Sequence, residues 1–85
     1  MASYSLVVKH AAEREIERLP HGVRRLVVRR IQALADDPRP HGSKKLSGRE
    51  EYRVRQGEHR VVYTIDDASR IVTIVRTAHR SDVYR

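Results

Sequence analysis

Three arginines fall within eight residues in the run Tyr52-Arg53-Val54-Arg55-Gln56-Gly57-Glu58-His59-Arg60-Val61-Val62-Tyr63. The run alternates with period two on both sides of Gln56-Gly57-Glu58. Tyr52 and Val54 fall on one face, with Arg53 and Arg55 on the other. After the connection, Val61, Tyr63 and Ile65 form an apolar face, with Arg60, Val62 and Thr64 opposite. Alternation around a Gly-containing connection predicts a β-hairpin. If both apolar sets face one core, Arg53, Arg55 and Arg60 share the other surface. Solvent-side arginines are common on antiparallel sheets, but three together repel one another, and a polyanion accounts for them better than stability does. A guanidinium also meets a phosphate with two parallel N–H donors.

The chemistry such a face suits is cleavage of RNA without a metal. That reaction needs a base for the 2′-OH proton, cations for the charge gathering on the phosphate, and an acid for the leaving 5′-oxygen. Arginine fills the second role and is a poor base, because it hardly deprotonates. His79 is the best candidate for proton transfer, since histidine exchanges protons around neutral pH. Glu50 and Glu51, at the mouth of the hairpin, are weaker candidates. Tyr84 has two readings, as an apolar anchor near the C-terminus or as a ring that stacks on a base and aims its hydroxyl at the phosphate.

Two further basic stretches stand outside the hairpin. Arg24, Arg25, Arg29 and Arg30 follow one another with no acid before Asp36. Such a run is usually a solvated helix face; without compensating carboxylates it reads as a second phosphate-contacting surface. Lys44 and Lys45 lie in a polar basic loop just before the hairpin and extend the cationic surface.

The whole chain agrees with this balance. Its 85 residues carry 18 Lys plus Arg against 11 Asp plus Glu, a formal charge of +7, and its pI is about 10.6. Only Lys9, Lys44 and Lys45 are lysines, so the cations are overwhelmingly arginines. Charge alone leaves RNA, DNA and an acidic protein as partners. The length allows one small domain with a single core, and 39% apolar residues suffice to fold it. The absence of cysteine removes disulfides and thiolate chemistry. The five histidines show no metal-ligand spacing, and there is neither a Gly-rich phosphate loop nor a Ser/His/Asp arrangement. No metal and no cofactor are expected. No apolar run is long enough to span a bilayer and no signal peptide opens the chain, so a cytoplasmic protein without membrane contact is expected.

The elements that must position these residues follow from the apolar periods. Residues 4–8 read as a first strand. Ala12, Ile16 and Leu19 recur at helical spacing, and Pro20-His21-Gly22 interrupts. Val23, Leu26, Val27, Ile31 and Leu34 resume the helical period until Pro38 and Pro40 forbid it. The hairpin follows, then a turn at Asp66-Asp67-Ala68-Ser69. A last strand over residues 70–77 is apolar on both faces at Ile71-Val72-Thr73-Ile74-Val75, as in a central strand. The order predicts a single α+β domain, β-α-α-β-β-β, over residues 1–85. A two-helix hairpin packs on one face of a largely antiparallel four-stranded sheet, and the arginine face is left uncovered.

Taken together, Lys45-Leu46-Ser47-Gly48, Tyr52-Arg53-Val54-Arg55, Gly57-Glu58-His59-Arg60-Val61-Val62-Tyr63, His79-Arg80 and Val83-Tyr84 resemble the RelE toxins of type II toxin–antitoxin pairs. The similarity covers nearly the whole chain, including the Leu19-Pro20 break. It implies a cytoplasmic endoribonuclease, an mRNA interferase, that enters the ribosomal A site, cuts mRNA there and leaves a 2′,3′-cyclic phosphate. It also implies a RelB-like antitoxin that wraps the basic surface and helps repress the shared operon. The free toxin is expected to be a monomer, with a heterotetramer on antitoxin binding. By position, Arg53 and Arg55 fall where family members have lysines acting on the 2′-OH and scissile phosphate. Arg60 matches the phosphate-binding arginine, Arg80 the arginine assisting the leaving group, and Tyr84 the tyrosine that stacks on the substrate. Arginine at 53 and 55 departs from the pattern and shifts weight to His79 as base. The sequence ends one residue after Tyr84, short of any further C-terminal helix. Two other readings share the fold: a ParE-like toxin that blocks DNA gyrase without cutting RNA, and a catalytically weak member that only binds antitoxin or RNA.

Overall fold

The computed structural model describes residues 3–79. Arg80 and Tyr84 lie outside the described residues. Strand β1 (Ser5–Val8) is followed by helices α1 (His10–Glu17) and α2 (His21–Ala33). Strands β2 (Lys44–Lys45), β3 (Tyr52–Gln56), β4 (His59–Asp66) and β5 (Ile71–His79) complete the order. The sheet runs β1-β5-β4-β3-β2. β1 pairs with β5 in parallel, and every other pair is antiparallel.

The α+β class and the helical hairpin are as the periodicity predicts, but the sheet has five strands rather than four. The extra strand is the basic loop itself: Lys44 and Lys45 pair with Arg53 and Tyr52, and Leu46 N donates to Glu51 O at 2.8 Å. Two polar residues carry no alternation, so period two cannot reveal them. Gly48, at φ 71°, takes the left-handed conformation in the connection.

The helices break where Pro20 stands. Leu19 N donates to Ile16 O, tightening the end of α1, and the Pro20 carbonyl accepts from Arg24 N at 2.8 Å to start α2. Pro20 has no N–H to lose there. Both helices cover one face of the sheet. Ala12, Val27, Ile31 and Leu34 meet Val54, Val61, Tyr63, Val72 and Ile74 in one core. Full burial of a side chain such as Leu34 contributes about 1.5–3 kcal/mol. Among the described residues, no helix is long and apolar enough to cross a membrane.

The β3–β4 connection is tighter than the sequence suggests. Gln56 still pairs with His59, so the turn is Gly57-Glu58, with Gly57 at φ 60°. Glycine is the residue that a two-residue hairpin turn takes at that first position. Register is thereby fixed: Arg53 faces Val62, Val54 faces Val61 and Arg55 faces Arg60.

A bulge decides what β5 contributes. Tyr63 pairs with Ile74 but Val62 pairs with Arg76, which leaves Val75 as the extra residue. The alternation reverses there. Val72 and Ile74 face the core before the bulge, and Thr77 does after it. β1 ends opposite Ile74, so the remainder of β5 has a free edge, which α1 closes. The Glu15 carboxylate accepts from Thr77 N at 2.8 Å and from Arg76 Nε at 3.0 Å.

Candidate functional site

The register brings Arg53, Arg55 and Arg60 to the face away from the helices, as the alternation predicts. Cross-strand neighbours share a face, so Lys44 stands beside Arg53; the bulge sets Arg76 beside Val62, but its guanidinium is held by Glu15 of α1. The face is not bare, as the sequence suggests. Arg60 is 8% exposed and Val62 3% exposed, whereas Arg55 at the edge is open to solvent. The middle of the arginine surface is thus closed and its rim is wet. A buried guanidinium has less water to compete for its donors and grips an anion more strongly than a rim one.

Lys44, Lys45, Arg49, Arg53 and Arg55 line an open cleft with Leu46 and Ser47. Arg53 is steadied there: its Nη1 donates to Gly42 O at 3.2 Å. The acids at the rim are engaged by cations, Glu50 with Lys45 at 3.6 Å and Glu51 with Arg49 at 3.5 Å. Such exposed pairs contribute about 0–1 kcal/mol each, and they tie both carboxylates to cations of the rim. Arg49 is a cleft residue that the sequence reading missed. The signal available for it was a basic segment on each side of Gly48.

His79 is not brought to the arginines. It pairs with His59 across β4 and β5, and the rings meet edge to face with centroids 5.7 Å apart. That register puts both histidines on the side of Val61 and Thr77, whereas Arg60 shares its side with Ala78. His79, expected from the sequence as the proton carrier, therefore lies on the strand face opposite to the arginines. Arg24, Arg25 and Arg29 lie elsewhere again, along one groove of α2.

The loop over the far end of β3 and β4 is held by a second cluster. Arg39 donates to both carboxylate oxygens of Asp67, at 3.2 and 3.0 Å, and stacks over the Tyr52 ring. Tyr4 adds its hydroxyl to Asp67 at 2.7 Å. Arg39, then Tyr4, holds the Asp67 carboxyl down at about 2. The buried Tyr63 donates to Pro38 O at 2.7 Å, and burial pushes its phenol up to about 12. These contacts fix residues 38–42, and through Gly42 O they fix Arg53.

Among the described residues, no three His, Asp or Glu side chains gather as a metal site. The site is a cationic face with one arginine sunk in it, able to hold a phosphodiester.

Comparison with known families decides what carries that face. Residues 6–84 match the family model of the ParE toxin of the type II toxin–antitoxin system parDE. The chain belongs to this toxin family. Two curated Mycobacterium tuberculosis relatives carry the RelE side of the superfamily. Toxin RelG is 31% identical over 86 residues, covering 96% of this chain and 97% of the relative. Toxin RelE is 32% identical over 84 residues, covering 96% and 87%. The toxin of the RelBE2 toxin–antitoxin complex from the same organism superposes with a TM-score of 0.80 at 29% identity, covering 91% of this chain and 98% of that one. The archaeal RelE–RelB complex from Pyrococcus horikoshii shows the same fold, with a TM-score of 0.83 at 22% identity over 95% and 99% of the two chains. The protein is a type II toxin of the RelE/ParE superfamily.

Proposed function

We propose that the toxin is an mRNA interferase, a metal-independent endoribonuclease that cuts mRNA at the ribosomal A site. The observation carrying this reading is the arginine face, with Arg60 buried at its centre and Arg53 and Arg55 beside it on β3. In the proposed reaction the 2′-oxygen attacks the adjacent phosphorus, the bond to the 5′-oxygen breaks, and a 2′,3′-cyclic phosphate remains. Arg60 holds the non-bridging oxygens as negative charge builds on them, and Arg53 and Arg55 approach from the rim. By the family resemblance, Arg80 assists the leaving 5′-oxygen and Tyr84 stacks on the substrate. Guanidiniums do not deprotonate, and the register keeps His79 off this face. The 2′-OH proton therefore passes to water, and water returns one to the 5′-oxygen. Charge stabilisation and positioning supply the acceleration.

The partner of this basic surface is proposed to be an acidic RelB-like antitoxin, since the solved structures similar to this chain include the RelBE2 toxin–antitoxin complex of Mycobacterium tuberculosis. A free monomer and a heterotetramer with antitoxin, both in the cytoplasm, complete the reading.

A second reading has its own support. The matching family model carries the ParE name, and arginine rather than lysine at positions 53 and 55 suits binding as well as cleavage. In that reading the toxin blocks DNA gyrase and leaves RNA intact. Primer extension on a reporter mRNA in a purified translation system separates the two. Cuts within A-site codons only when ribosomes are present are expected. Cuts on naked RNA would keep the nuclease and remove the ribosome. Intact mRNA at concentrations that stop growth, with gyrase inhibited, would replace the proposal by the second reading.

A further inference from the structure

The histidines that the register keeps off the arginine face form a row with a third side chain. Gln56 pairs with His59 across β3 and β4, and His59 pairs with His79 across β4 and β5. Register partners share a face, so Gln56, His59 and His79 stand side by side across three strands. The row lies on the core side, one step along from Val54, Val61 and Thr77. Those three are buried, whereas Gln56 and His59 are half-buried and His79 is exposed. Arg53, Arg55, Arg60 and Arg76 alternate with these residues and belong to the opposite face. No guanidinium of the three strands therefore stands in the row.

The spacing of the two rings fits a shared ligand. Their centroids are 5.7 Å apart, edge to face. Two imidazoles bound through nitrogen to one tetrahedral cation, at about 2.0–2.1 Å, have centroids about 5 Å apart. A small rotation of either ring thus brings one nitrogen of each onto a common point. Edge-to-face rings are also an ordinary packing contact. Packing favours rings removed from water, however, and here His79 is exposed and His59 only half-buried. A cation can reach both rings from solvent.

We propose that His59 and His79 form a two-imidazole site for a late first-row divalent cation, with the Gln56 amide oxygen and water completing its coordination. Imidazole suits zinc, copper and nickel, whereas magnesium and calcium take oxygen ligands. No three His, Asp or Glu side chains gather among the described residues, so the site is open and partly aqueous, unlike a closed structural zinc centre. The donors come from three strands, which is why no spacing in the sequence marks them. The cation clamps β4 to β5 at the strand end from which the chain runs on to Arg80. It sits on the face away from Arg60 and takes no part in the proposed RNA cleavage.

The test is calorimetric titration of the natural chain with ZnCl2. One ion should bind per chain and raise the melting temperature, because it binds the folded register and not the separated strands. H59Q and H79Q should each weaken binding by at least about tenfold, the least that losing even a supporting group of a metal site costs. Both should also lose the rise in melting temperature. H10Q/H41Q removes two other exposed histidines and should leave both readings unchanged. With Cu2+ in place of Zn2+, electron paramagnetic resonance should count two imidazole nitrogens in the natural chain and one in either single variant. Undiminished affinity in H59Q or H79Q, an equal loss in H10Q/H41Q, or a single nitrogen in the natural chain would overturn the site. His79 is exposed, so H79Q keeps the fold, and far-UV circular dichroism checks H59Q. Cleavage is not read, and the outcome stands whether or not the toxin cuts RNA.

Discussion

Arg55 and Arg60 are register partners across β3 and β4, one at the wet rim and one 8% exposed. Like charges directly opposite on a sheet face destabilise it, so the pair costs stability, and the proposed function sets that cost against anion binding. Arg55→Gln should therefore raise stability by about 0.2–1 kcal/mol while weakening RNA binding and cleavage. Thermal unfolding and the cleavage assay check it together. A loss of stability would mean that Arg55 serves the fold.

Arg60→Ala should lower cleavage about 10²–10³-fold, the range for removing one preorganised donor from a developing charge. Arg60→Lys should recover part of it, because a lysine keeps the charge and loses the two-pronged geometry. Single-turnover cleavage of one reporter by both variants, with far-UV circular dichroism as the folding control, separates charge from fit. Equal rates for natural and Ala chains would remove Arg60 from the reaction.

His79 faces away from the arginines, so His79→Gln should change cleavage by no more than a few-fold. A positioned proton carrier contributes about 10²–10⁴. The rate of the natural toxin should climb with pH without a bell near neutrality. A bell that His79→Gln abolishes would return the histidine to the mechanism.

How much of this was legible before the structure follows from the physics of each element. Arg53, Arg55 and Arg60 were visible because period two survives wherever one strand face is buried. The helical hairpin was visible because Pro20 stops one apolar period and Val23 starts another. β2 was invisible because Lys44 and Lys45 owe their strand to pairing with Arg53 and Tyr52, not to their own pattern. The side of His79 was invisible for a different reason. One extra residue at Val75 reverses the alternation of β5, and nothing in Ile71-Val72-Thr73-Ile74-Val75 marks where it sits. The clasp of Arg39 on Asp67 joins residues far apart in sequence and likewise leaves no local trace.

That clasp predicts an acid-sensitive contact. Asp67 is held at about 2, below its usual value, by Arg39 first and Tyr4 second. A depressed carboxyl contributes stability above its unfolded value, and that contribution is lost as the pH falls through about 2. Asp67→Asn should thus unfold at a lower temperature than the natural chain at neutral pH, and the difference should vanish by the acid end of the window. The pair is exposed, so the neutral-pH difference should be small. Paired melts at several pH values decide it, and a difference that persists in acid would assign the effect to packing.

Tyr63 should behave in the opposite sense. Its ring is buried, stacked on Tyr52 at 5.9 Å, and its hydroxyl donates to Pro38 O. Burial raises the phenol to about 12, so its contribution is complete below 10, the ordinary value, and is lost as the pH rises toward 12. Tyr63→Phe keeps the ring and strands the Pro38 carbonyl, at a cost of about 1–3 kcal/mol at neutral pH. The variant should accordingly lack the Tyr63 part of the alkaline loss of stability. Because Pro38 precedes the loop that carries Gly42, and Gly42 O holds Arg53, the same variant should weaken RNA cleavage more than its fall in melting temperature explains. Cleavage measured well below the melting point checks the coupling. A rate equal to that of the natural toxin would mean that Arg53 finds its place without the tyrosine.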